Sequence, residues 1–120
     1  MPAMSKDYEQ ITRGVSGSLR NFRKNEHELM GGFDAMAAAA LRDGVLDKTT
    51  KELISLALGV AGHCDACIGF HVRALVRLGA SRQAIEEALR VAVYMGGGPS
   101  LMYAADALAA YEQMTAPAPG

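Results

Sequence analysis

The sequence has no tryptophan, only two cysteines and no excess of charge of either sign. Its 12 basic and 13 acidic residues give a formal net charge of −1, so it lacks the excess of basic residues with which proteins bind nucleic acid. No stretch reaches the roughly 18 consecutive apolar residues that a membrane span needs. The charges near the N-terminus are not followed by an apolar run, as they would be in a signal peptide. These absences predict a cytoplasmic protein without nucleic-acid or membrane partners, whose thiols meet a reducing solvent.

Sustained alternation of apolar and polar residues, the mark of β-strands, is also missing, whereas apolar residues spaced three and four apart recur throughout. The chain has 120 residues, 50% of them hydrophobic, which suits one domain with a core. The sequence therefore predicts an all-α bundle of about six helices. They are expected at about residues 5–24, 26–42 and 48–61, then from the cysteines to Gly79, after a cap at Ser81, and from Pro99, which can be the first residue of the sixth helix.

Residues that begin or end helices mark several of these limits. Asp47 is predicted to cap the third helix, and Gly44 is predicted to end the second in a left-handed conformation. The segment GGGP at residues 96–99 matches neither of the glycine-rich phosphate-binding patterns, GxxxxGK[ST] and GxGxxG, and it follows a helix. We therefore expect a break between two helices.

The third and fourth predicted helices are apolar around much of their circumference. A helix of this kind must be enclosed on most sides, which 120 residues barely achieve. Homo-oligomerisation is the favoured explanation. A compact bundle that fully wraps its central helix is the alternative.

The segment HCDACIGFH, residues 63–71, contains both cysteines. Cys64 and Cys67 are three apart, so at a helix N-terminus they lie within reach of a disulfide. His71 follows Cys67 by four residues and shares its face. Because the unpaired amides of a helix N-terminus stabilise a thiolate, this pattern favours a reversible redox dithiol with a nearby base.

Three other interpretations of the segment remain. A structural zinc site normally has four ligands in two separated pairs, and the only other histidines are His63, next to Cys64, and His27, far upstream. A structural disulfide over so short a loop would add little stability. Two buried cysteines beside a core histidine are the third possibility.

Glu52 lies twelve residues before Cys64, on the preceding predicted helix. If the two helices pack as an antiparallel pair, its carboxylate can face His71 and tune the protonation of the imidazole. Otherwise the carboxylate is solvated at the edge of the helix. Spacing alone leaves both arrangements open.

The stretch ELISLALGVAGHCDACIGFH, residues 52–71, resembles the alkylhydroperoxidase D and carboxymuconolactone decarboxylase superfamily. The shared pattern is a glutamate, then a Cys-x-x-Cys-x-x-x-His motif whose first cysteine comes twelve residues later. The following HVRALVRLGASRQAIEEALRVA, residues 71–92, is also similar to the family, and the resemblance extends over about residues 41–114.

The resemblance implies a cysteine-based peroxidase or dithiol–disulfide oxidoreductase, with a hydroperoxide or a small disulfide as substrate. Cys67 would attack the peroxide, Cys64 would resolve the sulfenic acid as a disulfide, and Glu52 and His71 would relay protons. It implies no cofactor and no metal beyond the redox-active Cys64–Cys67 disulfide. A dithiol protein would be the reductant.

The resemblance also implies an all-α fold that assembles as trimers or hexamers. With the helix pattern, it divides the chain into an N-terminal helical arm (1–24), an alkylhydroperoxidase D-like domain (25–114) and a flexible tail (115–120).

Several points stay open. Alkylhydroperoxidase D carries a histidine between its cysteines, where this chain has Ala66. The superfamily pattern favours Cys67 as the nucleophile, whereas thioredoxin-like logic favours Cys64. The alternatives are a redox-sensing or binding protein on the same scaffold, or a carboxymuconolactone decarboxylase-type enzyme. The latter would need a carboxylate-binding arginine such as Arg73 or Arg77 facing the site.

Overall fold

The computed structural model describes residues 6–117, which contain six α-helices and no strand. The helices are α1 (Tyr8–Asn25), α2 (His27–Leu41), α3 (Lys48–Ala61), α4 (Asp65–Arg77), α5 (Arg82–Gly96) and α6 (Gly98–Thr115). The prediction of an all-α protein with about six helices is therefore confirmed. Residues 1–5 and 118–120 lie outside the described range, and the division into arm, domain and tail stays a prediction.

Side-chain caps begin four of the helices, namely α1, α3, α4 and α5. Asp47 Oδ1 accepts a hydrogen bond of 2.8 Å from the Thr50 amide at the start of α3, as predicted. Ser81 Oγ accepts one of 3.1 Å from the Ala84 amide at the start of α5. Helix α1 begins later than expected, because Asp7 adopts the extended backbone of an N-cap.

The prediction for Gly44 is wrong. After α2 the chain leaves the helix in an extended conformation at Arg42, and Gly44 has no positive φ. A left-handed glycine instead follows α4, at Gly79 with φ 78°. The predicted break before α6 is present, with Gly97 at φ 75°, and Pro99 is the second residue of that helix rather than the first.

The core forms where α1, α5 and α6 surround the pair α3 and α4. Its large side chains pack in one cluster, and burying each stabilises the fold by about 1.5–3 kcal/mol. The cluster comprises Tyr8, Leu56, Val60, Ile68, Val72, Leu75, Ile85, Leu89, Ala92, Ala104, Ala107 and Ala110. Helix α2 lies at the margin and buries only Met30.

Two glycines let α4 approach its neighbours closely. A Cβ atom on Gly59 of α3 would lie 3.1 Å from Cys67 Cβ. A Cβ atom on Gly69 of α4 would lie 2.5 Å from Thr12 Cγ2 of α1. Helix α4, which carries the dithiol, is therefore held between two tightly packed helices.

No helix within residues 6–117 is both long enough and apolar enough to cross a membrane.

Candidate functional site

Cys64 and Cys67 form a disulfide at the start of α4, with 5.2 Å between their Cα atoms. Cys64 is the N-cap of that helix, and its Sγ accepts a hydrogen bond of 3.1 Å from the Cys67 amide. Both cysteines are half-buried. The sulfur atoms thus lie at the positive end of a helix, where a thiolate is stabilised after reduction.

The turn from α3 into α4 fixes the backbone that leads into Cys64. His63 has φ 56°, a left-handed conformation that histidine adopts more often than most residues. Its amide donates to the Val60 carbonyl, and the Cys64 amide donates to the Gly59 carbonyl. The exposed His63 ring stacks on Tyr103 of α6, with the ring centroids 4.7 Å apart.

Glu52 and His71 meet across α3 and α4. Glu52 Oε2 lies 2.6 Å from His71 Nδ1, and the glutamate is only 3% exposed. A buried carboxylate needs a donor, so the hydrogen on the neutral imidazole belongs on Nδ1. That leaves His71 Nε2 free to accept a proton from another group.

The two helices run antiparallel at the site. Gly59 packs against Cys67, and Glu52, two turns earlier on α3, meets His71, one turn later on α4. The carboxylate, the imidazole and Cys67 therefore follow one seam. The sequence left the orientation of Glu52 open, and the structure places it against His71.

A second polar cluster adjoins the dithiol, and the sequence did not reveal it. Lys6 Nζ lies 3.0 Å from Asp65 Oδ1 and 2.7 Å from Asp106 Oδ2. The Tyr8 hydroxyl donates to the same Asp65 oxygen at 2.9 Å. Lys6 Nζ also lies 4.7 Å from the centre of the Tyr103 ring. The only sequence signal was a carboxylate between the two cysteines.

The candidate arginines do not join this site. Arg73 binds α1, where its Nη2 donates to Thr12 Oγ1 at 2.6 Å and to Glu9 Oε2 at 3.3 Å. Arg77 is exposed at the end of α4. In residues 6–117 no three His, Cys, Asp or Glu side chains are grouped so that they could hold a metal ion.

The model of the carboxymuconolactone decarboxylase family matches residues 27–110, which include all four candidate residues. The chain therefore belongs to this family. A crystal structure of a family member from Legionella pneumophila superposes with a TM-score of 0.89 at 55% identity, covering 90% of this chain and 96% of that one.

A second family structure, from Thermotoga maritima, superposes with a TM-score of 0.77 at 29% identity and covers 86% of this chain and 88% of that one. It is named for a possible involvement in an antioxidative response. An uncharacterized protein of Cupriavidus necator is 41% identical over 72% of this chain and 77% of its own. The alkyl hydroperoxide reductase AhpD of Coxiella burnetii is 35% identical over 43% of this chain and 29% of its own length.

Proposed function

We propose that this protein is a thiol peroxidase and dithiol–disulfide oxidoreductase that reduces a hydroperoxide through Cys64 and Cys67. The observation that carries the proposal is the joint placement of three features. The cysteine pair lies at the N-terminus of α4, the Glu52–His71 pair lies on the same seam, and Gly59 brings α3 against Cys67.

In the proposed first step, His71 Nε2 accepts the proton of the Cys67 thiol, while Glu52 stabilises the resulting imidazolium. The Cys67 thiolate attacks the terminal oxygen of the hydroperoxide and the O–O bond breaks. The alkoxide leaves with the proton from His71 as an alcohol, and Cys67 is now a sulfenic acid.

In the second step, Cys64 attacks the sulfur of the Cys67 sulfenic acid. The S–S bond forms and hydroxide leaves. The proton that Cys64 gives up balances the one that hydroxide takes up to become water. A dithiol protein then reduces the disulfide by exchange and is itself oxidised, so the cycle needs no cofactor and no metal. Such a cycle fits the cytoplasm, which keeps dithiols reduced.

The related proteins support redox chemistry of this general class, and they do not specify a substrate. The match to the Coxiella burnetii reductase spans less than half of this chain, and the name of the Thermotoga maritima structure concerns that protein. The decarboxylase alternative loses its two candidate arginines, because Arg73 binds Thr12 of α1 and Arg77 is exposed at the end of α4.

The experiment adds one equivalent of cumene hydroperoxide to the reduced protein and follows thiol loss by quenched alkylation and intact mass. Native protein is compared with Cys67→Ser and Cys64→Ser. We expect both native thiols to be lost much faster than free cysteine, with a sulfenic acid trapped in Cys64→Ser but not in Cys67→Ser. Loss no faster than that of free cysteine would refute the peroxidase, and oxidation that only alters assembly would favour a redox sensor.

We also propose that the protein is a homo-oligomer. Helix α2 exposes Leu29, Phe33 and Met36 on a helix that buries only Met30. The same chain carries apolar grooves along both sides of α5, of about 560 Å³ beside α6 and about 330 Å³ beside α3. An apolar helix and apolar grooves on one chain provide complementary surfaces for a second copy.

A further inference from the structure

The polar cluster beside the dithiol has a charge that the proposed chemistry does not use. It contains one ammonium, from Lys6, and two carboxylates, from Asp65 and Asp106. Asp65 follows Cys64 directly in the chain and is the first residue of α4. A carboxylate there occupies the same positive helix end that would stabilise the Cys64 thiolate, and it repels that thiolate.

We infer that Lys6 is a positioning residue that acts on the dithiol through Asp65. Its ammonium offsets the negative charge of Asp65, so that the Cys64 thiol can ionise to a thiolate near neutral pH. The inference rests on the proposed function only for the use of that thiolate, which attacks the Cys67 sulfenic acid.

The geometry holds Lys6 in place from several sides. The Gln113 side chain donates to the Lys6 carbonyl at 2.8 Å and accepts from the Tyr8 amide at 2.9 Å, which ties this segment to α6. The ammonium then reaches Asp65 of α4 and Asp106 of α6 at once. These hydrogen bonds, that to Asp106 foremost, raise the pKa of Lys6 above its ordinary value, so the ammonium stays charged wherever a thiol titrates.

The groups around Cys64 come from four elements. His63 and Asp65 flank it in the chain, and Lys6 and Tyr8 both bind Asp65. From α6 come Asp106, which binds Lys6, and Tyr103, which stacks on His63. The Glu52–His71 pair adds a carboxylate and an imidazole from α3 and α4, along the seam with Cys67. Burial and the hydrogen bond to Asp65 raise the pKa of Tyr8, so its phenol is neutral when thiols ionise.

The test measures the thiol pKa of Cys64 directly. In a Cys67→Ser background Cys64 is the only thiol of the chain, and its rate of alkylation by iodoacetamide is followed against pH. Lys6→Met changes the net charge of the cluster from −1 to −2, since one ammonium opposing two carboxylates is removed. Because the negative charge beside Cys64 then increases by one, we expect the thiol pKa to rise by about half a unit.

Three further variants separate charge from structure. Lys6→Arg keeps the charge, so the native thiol pKa should be retained. Asp65→Asn removes the repulsive carboxylate, so the thiol pKa should fall. The double variant Lys6→Met/Asp65→Asn restores the net charge of −1 although it loses both salt bridges of Lys6, so its thiol pKa should return close to the native value. A purely structural role predicts no such return.

Lys24→Met is the matched control, because it removes one ammonium from the last turn of α1, about 24 Å along the helix from Tyr8. An equal shift in Lys24→Met and Lys6→Met would overturn the inference. An unchanged thiol pKa in Lys6→Met would also overturn it. So would a double variant whose thiol pKa is shifted as far from the native value as that of Lys6→Met. Because alkylation requires no peroxide, these results stand whether or not the protein turns over hydroperoxide.

Discussion

Glu52 Oε2 and His71 Nδ1 lie 2.6 Å apart across the seam between α3 and α4. The contact joins a buried carboxylate on one helix to a half-buried imidazole on the next, one turn beyond Cys67. It is a structural contact between helices and, under the proposed function, the proton relay as well. These two roles lead to separate predictions.

The relay role predicts a loss of rate in Glu52→Gln. The amide keeps the size and a hydrogen-bonding group but cannot stabilise the imidazolium, so thiol loss after one equivalent of peroxide should slow by about 100-fold. Glu86→Gln removes a carboxylate that pairs with Arg82 on the surface of α5, and it should react at the native rate. Equal rates in both variants would contradict the relay.

The structural role predicts a loss of stability in His71→Ala. Without the imidazole, the carboxylate of Glu52 stays buried without its partner, so the free energy of unfolding in urea should fall by about 1–3 kcal/mol. His27→Ala makes the same substitution at an exposed position of α2. A loss no larger than that of His27→Ala would show that the contact contributes nothing to stability.

The close approach of α3 to the dithiol predicts that Gly59→Ala is destabilising. The added Cβ atom would lie 3.1 Å from Cys67 Cβ, which is held by its own helix and by the disulfide. We expect overpacking to lower the free energy of unfolding by about 1–3 kcal/mol. Gly14→Ala, in α1 with no atom within 4 Å, should raise it by up to about 1 kcal/mol. If both substitutions changed the free energy of unfolding in the same direction, the packing argument would be refuted.

The environment of Tyr8 predicts an order of phenol ionisation. Burial, and then its hydrogen bond to Asp65, raise the pKa of Tyr8 above the ordinary 10.0, whereas Tyr94 is exposed. In an alkaline titration at 295 nm, one of the four tyrosines should therefore ionise only on unfolding. Because the unfolded chain loses this proton first, its contribution to stability is complete below pH 10 and declines as the pH rises further.

Tyr8→Phe provides the check on that assignment. The phenol that ionises on unfolding should disappear from the titration, and the stability above pH 10 should decline less steeply than in the native protein. If the late phenol remains in Tyr8→Phe, it belongs to another tyrosine.

The proposed assembly predicts that Phe33→Glu dissociates the oligomer. Phe33 is 56% exposed on the apolar face of α2, and a carboxylate there would be buried against a second copy at a large cost. Light scattering after size exclusion should report a smaller mass than for the native protein. Asn21→Glu, which adds the same charge at an exposed site of α1, should leave the mass unchanged. A native protein that is already monomeric would refute the assembly.

Much of the fold was determined by local signals in the sequence. The apolar spacing indicated six helices, and Asp47 and Ser81 start α3 and α5 as predicted, because an N-cap depends on groups within three residues. The spacing of the cysteines and the histidine likewise fixed which residues share a face of α4. The family match to residues 27–110 agrees with the resemblance seen in residues 41–114.

Local signals failed where the path of the chain between helices decides the conformation. Gly44 follows α2 but is not left-handed, because Arg42 already turns the chain into an extended segment. Between residues 6 and 117 the residues with a positive φ are instead Gly79, Gly97 and His63, at turns where the next helix must pack back onto the core. A glycine after a helix allows this geometry without requiring it.

Only the tertiary structure decided which distant side chains meet. The orientation of Glu52 depends on how α3 packs on α4, and Gly59 sets that approach. Lys6 meets Asp65 and Asp106 across 59 and 100 residues of chain. Periodicity specifies the face of a helix, but the packing of helices around a shared core determines which face it meets. The charges around the dithiol are therefore a property of the fold, whereas the dithiol itself can be recognised from the sequence.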